Sequence, residues 1–166
     1  MAPRRYGVAM SGERDPMLLA IRAALEGLER GEGGPFGAAI VRAGEVIAVA
    51  HNTVLRDRDP TAHAEMNAIR MAARRLGTYH LSGCEIYSTT EPCLMCFGAI
   101  HWARIGKLYY GTSIEDVAAL GFREIRLPVL RIREIAGLDI EIVPSYKRGE
   151  CLKLLERWRQ LQLPTY

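Results

Sequence analysis

The stretch that decides the fold is "TTEPCLMCFGAI" (89–100), taken together with "PTAHAEMNAIR" (60–70). Each stretch predicts a helix start that follows a β-type segment, with reactive side chains at the turn. Cys93 and Cys96 are three positions apart, so a helix places both sulfurs on one face. His63 and Glu65 stand at the start of the other helix. Because the positive end of a helix favours thiolates, the spacing predicts a metal or redox site at these helix starts.

Two thiolates and one imidazole, from Cys93, Cys96 and His63, form a donor set that suits Zn²⁺. A structural zinc is closed by a fourth protein ligand, whereas here Glu65 can act as a base beside an open position. The joint pattern H-x-E…P-C-x-x-C is the signature of zinc nucleobase deaminases, in which the glutamate is not a ligand. The pattern therefore favours a catalytic zinc with Glu65 as the proton carrier, and structural zinc or a redox thiol pair remain the alternatives.

Periodicity outside the two stretches predicts helices that alternate with strands. Asp15-Pro16 begins a helix that ends at Gly31, and Ala43-Gly44 marks a hairpin. Helices are further predicted at 61–76, 92–104, 113–121 and from Cys151 to Leu161, and strands at 84–90, 107–111 and 139–144. The segment 122–136 matches no single pattern. Such alternation is typical of an α/β sandwich with one sheet between helices.

The composition predicts one soluble domain, since 166 residues with 49% apolar and 25% charged side chains can bury a full core. No apolar run reaches the ~20 residues of a membrane span. The first fifteen residues lack the apolar core of a secretory signal. We therefore expect no membrane partner and a cytoplasmic protein with reduced thiols, of which Cys84 and Cys151 are buried apolar groups.

The net charge of +3 lies entirely in the segment from Lys147 to the end of the sequence. This basic face could contact phosphates or acidic neighbours, and the alternative is a solvated helix face.

On the residues His63, Glu65, Pro92, Cys93 and Cys96, the chain resembles the cytidine-deaminase-like superfamily. The similarity is strongest to the branch of guanine deaminases, yeast-type cytosine deaminases and tRNA adenosine deaminases, from about Asp15 to Gly121. The resemblance implies a three-layer α/β/α sandwich with a five-stranded mixed sheet, in a single domain over 1–166 that forms a homodimer. It also implies a Zn²⁺ cofactor held by His63, Cys93 and Cys96, with Glu65 moving protons during hydrolysis. Residues 1–14 are expected to be disordered.

The resemblance further implies a set of substrate residues. Asn52 lies where this branch has an asparagine that binds the base, and the alternative role for it is a strand-end cap. Phe36 in "GGPFGAAIV" and Trp102 in "GAIHWAR" match pocket walls of the guanine branch, or else pack in the core. Asp116 in "SIEDVAALGF" matches its second catalytic carboxylate, or else interacts with a helix dipole. The remaining expectations are that backbone N–H groups of Ala64 and Glu65 face the base, and that Tyr166 closes a pocket through a C-terminal segment swapped between subunits.

The resemblance favours a nucleobase substrate, with guanine converted to xanthine and ammonia. A tRNA adenosine deaminase acting on a flipped base is the main alternative, and the basic C-terminal face is its support. Cytosine or guanosine could also be the substrate. A zinc-stabilised binding module without activity is the alternative from another class, and Glu65 argues against it.

Overall fold

The computed structural model describes residues 14–166. The expected disorder of residues 1–14 therefore lies outside the described residues, except at Arg14. The elements follow in the order α1 (Pro16–Glu29), β1 (Gly37–Arg42), β2 (Glu45–His51), α2 (Val54–Asp57), α3 (Ala64–Leu76), β3 (Cys84–Thr90), α4 (Leu94–Trp102), β4 (Lys107–Thr112), α5 (Ile114–Ala118), α6 (Val129–Ala136), β5 (Glu141–Val143) and α7 (Arg148–Leu161). Among these helices none is both long and apolar enough to cross a membrane.

The strands form one five-stranded sheet in the order β2-β1-β3-β4-β5. The β1 strand pairs antiparallel with both β2 and β3, whereas β3, β4 and β5 run parallel to one another. Helix α3 packs against β1 and β2 and contacts α4, while α1 and α7 contact each other and pack on β1 and β4 respectively. The predicted α/β/α sandwich with a mixed five-stranded sheet is therefore confirmed.

The first helix shows how sequence directs this packing. Asp15 caps α1 by accepting hydrogen bonds from the backbone N–H groups of Met17 and Leu18, at 2.9 and 3.2 Å. The helix buries Met17 and Ala20 against the sheet, where a Cβ atom added at Gly37 would collide with the Ala20 carbonyl. The missing side chain at Gly37 thus lets α1 approach β1 closely.

The structure departs from the predicted elements at the starts of two helices and at two segments where no helix was predicted. The predicted helices at 61–76 and 92–104 begin at Ala64 and Leu94, because His63 and Cys93 have extended backbone and stand at the N-cap. Helix α2 was not predicted, since four residues are too few to show a period. The unassigned segment 122–136 contains α6, which follows Pro128.

The C-terminal segment (162–166, after α7) packs on its own chain in this structure. Leu163 and Tyr166 lie against a cluster that includes Phe122, Leu154 and Trp158. Exchange between subunits is therefore not required for the segment to reach a pocket.

Candidate metal centre and active site

The three predicted metal ligands lie together at the ends of two helices. His63 caps α3 and Cys93 caps α4, so that both helix N-termini point at one place. The Nδ1 atom of His63 is 3.6 Å from Sγ of Cys93 and 3.5 Å from Sγ of Cys96. All three donor atoms are within 4.8 Å of one another.

These distances fit a tetrahedral zinc ion. Zinc–sulfur bonds of about 2.3 Å and zinc–nitrogen bonds of about 2.0–2.1 Å, at tetrahedral angles, separate nitrogen from sulfur by roughly 3.6 Å. The observed separations from His63 are 3.6 and 3.5 Å. His63, Cys93 and Cys96 would hold the ion and leave a fourth position for a small molecule.

The two thiols shift each other's pKa in opposite directions. Contact with the Cys96 thiol lowers the pKa of Cys93 to about 4, and the hydrogen bond with His63 acts in the same direction. The contact with Cys93 and burial together raise the pKa of Cys96. Cys93 is therefore the more acidic of the two thiols, and binding a cation at this site would displace protons from the thiols.

Glu65 lies beside the metal ligands without belonging to their cluster. Its carboxyl group is buried, and the Ser88 hydroxyl lies 3.0 Å from Oε1. Burial raises the pKa of Glu65, and the negative charge of Cys93 raises it further. A carboxyl group in this environment takes up a proton more readily than an exposed one, which suits a group that exchanges protons with a ligand.

A cavity of about 290 Å³ opens onto His63, Cys93 and Glu65. Its volume is at the low end of the usual range for small-molecule sites, which begins at about 300 Å³. Mostly apolar side chains form the rest of the wall, among them Phe36, Leu94 and Met95. The cavity suits one small planar ligand whose faces are apolar and whose edge carries polar groups.

Asn52 offers this cavity a buried hydrogen-bond donor. The side chain is 1% exposed, and its Oδ1 accepts from the backbone N–H groups of Gly34 and Val54, at 3.3 and 3.1 Å. Those two bonds fix the orientation of the amide. Its Nδ2 is buried and meets no acceptor at hydrogen-bond geometry within residues 14–166, although the Asn52 side chain also interacts with the Tyr166 hydroxyl and offsets part of the rise in its pKa. Since a buried donor without a partner is costly, a ligand with an acceptor atom would satisfy it.

Three aromatic rings form one side of the cavity. Phe122 packs edge-on against both Phe36 and Tyr166, with ring centroids 5.2 and 5.4 Å apart. The Tyr166 hydroxyl accepts from the backbone N–H of Gly34 at 3.2 Å. A Cβ atom at Gly34 would lie 2.8 Å from that hydroxyl, so glycine is needed for the contact.

The family known as "Cytidine and deoxycytidylate deaminase zinc-binding region" matches residues 10–112, well over half of the chain. The chain belongs to this family. The predicted resemblance is thereby confirmed, and the histidine, the two cysteines and the buried glutamate lie in the part of the chain that matches.

Guanine deaminase of Bacillus subtilis (strain 168) is 50% identical over 103 residues, which are 62% of this chain and 66% of that protein. The tRNA-specific adenosine deaminase of Aquifex aeolicus (strain VF5) is 52% identical over 92 residues, 55% of this chain and 60% of that protein. Thus the chain spans slightly less than two thirds of either relative. The solved structure of guanine deaminase from Nitrosomonas europaea is 29% identical, with a TM-score of 0.80 over 92% of this chain and 86% of that one.

Glu124 is a further carboxyl group that lines this cavity, besides Glu65 and Glu91, and sequence reasoning missed it. The residue is half-buried and lines the cavity together with Glu65. Burial raises the pKa of Glu124, and the charge of Cys93 adds to the effect. Its position in the segment without a clear pattern hid it, although an acid next to the aromatic Phe122 in "LGFRE" was the available signal.

The structure places Asp116, the predicted second carboxylate, away from this cavity. Asp116 is not among the residues that line it; it completes a capping box with Ser113 at the start of α5. Both of its oxygens accept from Arg148, at 2.5 and 3.0 Å. That ion pair with Arg148 lowers the pKa of Asp116 to about 2. The alternative role, an acid at a helix N-terminus, describes what the structure shows.

Trp102 is likewise not a pocket wall in this structure. It ends α4, at the far end of the helix from Cys93, and its side chain is 81% exposed. Nine helical residues span about 13 Å, which separates Trp102 from the metal ligands. Ala64 is fully buried at the first position of α3, between His63 and Glu65.

Proposed function

We propose that this chain is a zinc-dependent hydrolytic deaminase that converts guanine and water to xanthine and ammonia. The cavity beside the three metal ligands has the size and the apolar walls for a single base. Membership of the zinc-binding deaminase family supports the reaction class, and the similarity to guanine deaminases supports the substrate.

The chemistry that zinc supplies when bound is the activation of water at neutral pH. Glu65 is the proton carrier in this proposal. Ser88 contacts Oε1, which leaves Oε2 to accept a proton from water and pass it to a ring nitrogen, and then to take the proton of the hydroxyl added to the ring carbon and pass it to the departing amine. Burial and the Cys93 charge raise the pKa of Glu65, which favours uptake of a proton by this carboxylate.

Asn52 orients the base. Its unpartnered Nδ2 is a buried donor in the cavity wall, and a purine carbonyl or ring nitrogen is a suitable acceptor. The predicted contacts from the backbone N–H groups of Ala64 and Glu65 would act beside it. Glu124 adds an acceptor for the N–H groups of an aminated purine, or a second site for a proton.

The position of Tyr166 in the cavity is the observation that carries the choice of a free base. The C-terminal segment crosses the aromatic wall, and burial raises the pKa of the Tyr166 hydroxyl. A pocket closed by the protein's own segment suits a free base better than a nucleotide still joined to a polymer on both sides.

A tRNA adenosine deaminase is the second candidate, and the similarity to the Aquifex aeolicus enzyme supports it. The basic C-terminal face supports a tRNA adenosine deaminase less strongly than the sequence of this segment predicts. Four of its five basic residues are in ion pairs with acids: Lys147 with Asp15, Arg148 with Asp116, Arg157 with Glu29 and Arg159 with Glu156. Much of the positive charge is thus neutralised within the fold.

The test is an ammonia-release screen with the zinc-loaded protein on guanine, cytosine, adenine, their nucleosides and tRNA. We expect guanine to be turned over about an order of magnitude faster than any other substrate, a margin of about 1.4 kcal/mol. Faster release from tRNA, together with tRNA binding that weakens with salt, would establish the second candidate instead.

A homodimer and a cytoplasmic location remain part of this proposal. An isologous pair is the commonest assembly for such a chain. Sedimentation of the full chain tests the dimer, and a mixture of Tyr166→Ala with Glu65→Gln subunits tests the swap. Activity recovered in mixed dimers would mean that the C-terminal segment serves the partner's pocket.

A further inference from the structure

Glu91 is a buried carboxylate that the proposed reaction does not use. The side chain is 6% exposed and lies two residues before the metal ligand Cys93. Its Oε2 accepts from the backbone N–H of Ile114 at 3.1 Å, and its Oε1 accepts from that of Val129 at 2.9 Å. One carboxylate therefore binds two points of the chain that are fifteen positions apart.

The two bonded residues are the first residues of α5 and α6. A helix start carries free N–H groups, and the N-cap of α6 is Pro128, which makes no side-chain cap. Glu91 supplies that cap from a distant part of the sequence. Because both ends are tied to one carboxylate, the chain between them forms a closed loop over the cavity.

This loop, residues 114–129, is named here the wall segment. It contributes four consecutive residues to the cavity lining, Phe122, Arg123, Glu124 and Ile125. The segment therefore carries both an aromatic wall and a further carboxyl group of the site. The two hydrogen bonds to Glu91 connect the wall segment to the stretch that carries the metal ligand Cys93.

We propose that Glu91 is a positioning residue, which fixes the wall segment relative to the metal ligands and thereby sets where Phe122 and Glu124 meet the base. Both of its oxygens are engaged by backbone donors, which separates it from the proton carrier Glu65. The effect of Glu91 on turnover rests on the proposed function, whereas its hydrogen bonds to Ile114 and Val129 do not depend on that function.

The side chain at position 91 must accept two hydrogen bonds. Glutamine at 91 keeps one oxygen for one N–H group, but its amide donor meets the other N–H, so one cap is lost. Alanine loses both hydrogen bonds and leaves the backbone N–H groups of Ile114 and Val129 buried without partners, although the capping box of Ser113 and Asp116 remains at α5. We therefore expect the loss of function to increase from the parent to Glu91→Gln and from Glu91→Gln to Glu91→Ala.

The wall segment offers a matched control in Glu115. Its carboxylate pairs with Arg126 at 3.4 Å, and both side chains are more than 60% exposed. Glu115→Gln therefore removes an acid that joins two parts of the same segment at the surface. Such exposed pairs contribute little, so this variant should match the parent.

The experiment compares Glu91→Gln, Glu91→Ala and Glu115→Gln, all in a Trp102→Phe background with zinc loaded. In that background Trp158, whose ring is 4.9 Å from Phe122, is the single fluorophore that reports on the wall segment. The readouts are zinc content, Trp158 emission, hydrogen exchange across 113–129, and kcat and KM for whichever base the parent deaminates.

We expect Glu91→Gln to keep its zinc, exchange faster across 113–129 and shift the Trp158 emission. Its kcat/KM should fall about tenfold, mainly through a higher KM, and that of Glu91→Ala about a hundredfold. A purely structural role would lower the amount of active protein and hence the apparent kcat, with KM unchanged. That result, or unchanged exchange across 113–129, would overturn the proposal.

The experiment distinguishes failure of the proposed guanine substrate from failure of the positioning role of Glu91. If the parent releases no ammonia from guanine, the proposed substrate is wrong, yet exchange and emission still decide whether Glu91 holds the wall segment. If Glu91→Ala does not fold, Glu91→Gln decides by the same measurements.

Discussion

The Tyr166 hydroxyl accepts a hydrogen bond from the backbone N–H of Gly34 at 3.2 Å, although 132 positions separate the two residues. Gly34 also donates to Asn52, the residue with the free donor in the cavity. The C-terminal segment therefore ends on the same loop that holds Asn52, the asparagine proposed to bind the base. Closure of the cavity and orientation of the base depend on one short stretch of backbone.

Tyr166→Phe should raise KM for the base while changing kcat little. The ring stays against Phe122, but the bond to Gly34 is lost, a net loss of about 1 kcal/mol or roughly fivefold in KM. Steady-state kinetics measure this, with Tyr79→Phe as the control because Tyr79 is 80% exposed. An unchanged KM would mean that the hydroxyl has no part in closing the cavity.

Glu65→Gln should lower kcat by at least ~10²-fold while the protein keeps its zinc. The amide has the same shape and can still contact Ser88, but it cannot carry a proton. Ammonia release and metal content, measured on the same sample, separate loss of chemistry from loss of the site. Activity near that of the parent would remove Glu65 from the mechanism.

Metal binding should depend on Cys93 and Cys96 and not on the other thiols. Cys93→Ala and Cys96→Ala remove one of three donors and should abolish both stoichiometric zinc and activity. Cys84→Ala is the control, since Cys84 is a buried thiol at the start of β3 that belongs to the core. A chelator should likewise lower the Tm of the parent, because a ligand of the folded state stabilises it. Full zinc content in Cys93→Ala would contradict the assigned ligand set.

The metal ligands could be predicted from sequence because their chemistry requires fixed spacing on one helix and a partner at another helix start. The second carboxylate could not. Asp116 and Glu124 are eight positions apart, and both lie near predicted helical segments. Only the path of the chain after α5 shows that Glu124 lines the cavity while Asp116 binds Arg148.

Trp102 also shows what the sequence could not predict, namely where along a helix a residue meets the cavity. Its motif placed it on the correct helix, but a pocket wall requires a position near the N-terminus of that helix, and Trp102 is the last residue. The bonds from Glu91 to α5 and α6 join residues 23 and 38 positions apart, and no local pattern encodes such contacts.

The Asp116–Arg148 pair should make a pH-dependent contribution to stability. The ion pair lowers the pKa of Asp116 from 3.8 to about 2, so its contribution is complete above about pH 4 and disappears as pH falls towards 2. Since both side chains are partly exposed, at 23% and 40%, the contribution is about 1 kcal/mol. Urea unfolding of the parent and Arg148→Ala should therefore differ at pH 6 and converge near pH 2. A constant difference across that range would show that the pair is not the cause.

Glu124→Gln and Asp116→Asn together decide which acid serves the reaction. Glu124 lines the cavity and its pKa is raised by burial, so its amide variant should lose about 10²-fold in kcat/KM, the scale of a proton-transferring group. Asp116 is engaged by Arg148 outside the cavity, so Asp116→Asn should lose stability and keep kcat/KM within about threefold, since a change of that size corresponds to less than 1 kcal/mol. Both variants remove one negative charge and keep the shape of the side chain, so each is the control for the other. The reverse order of effects would restore the catalytic role for Asp116 and leave Glu124 as part of the wall.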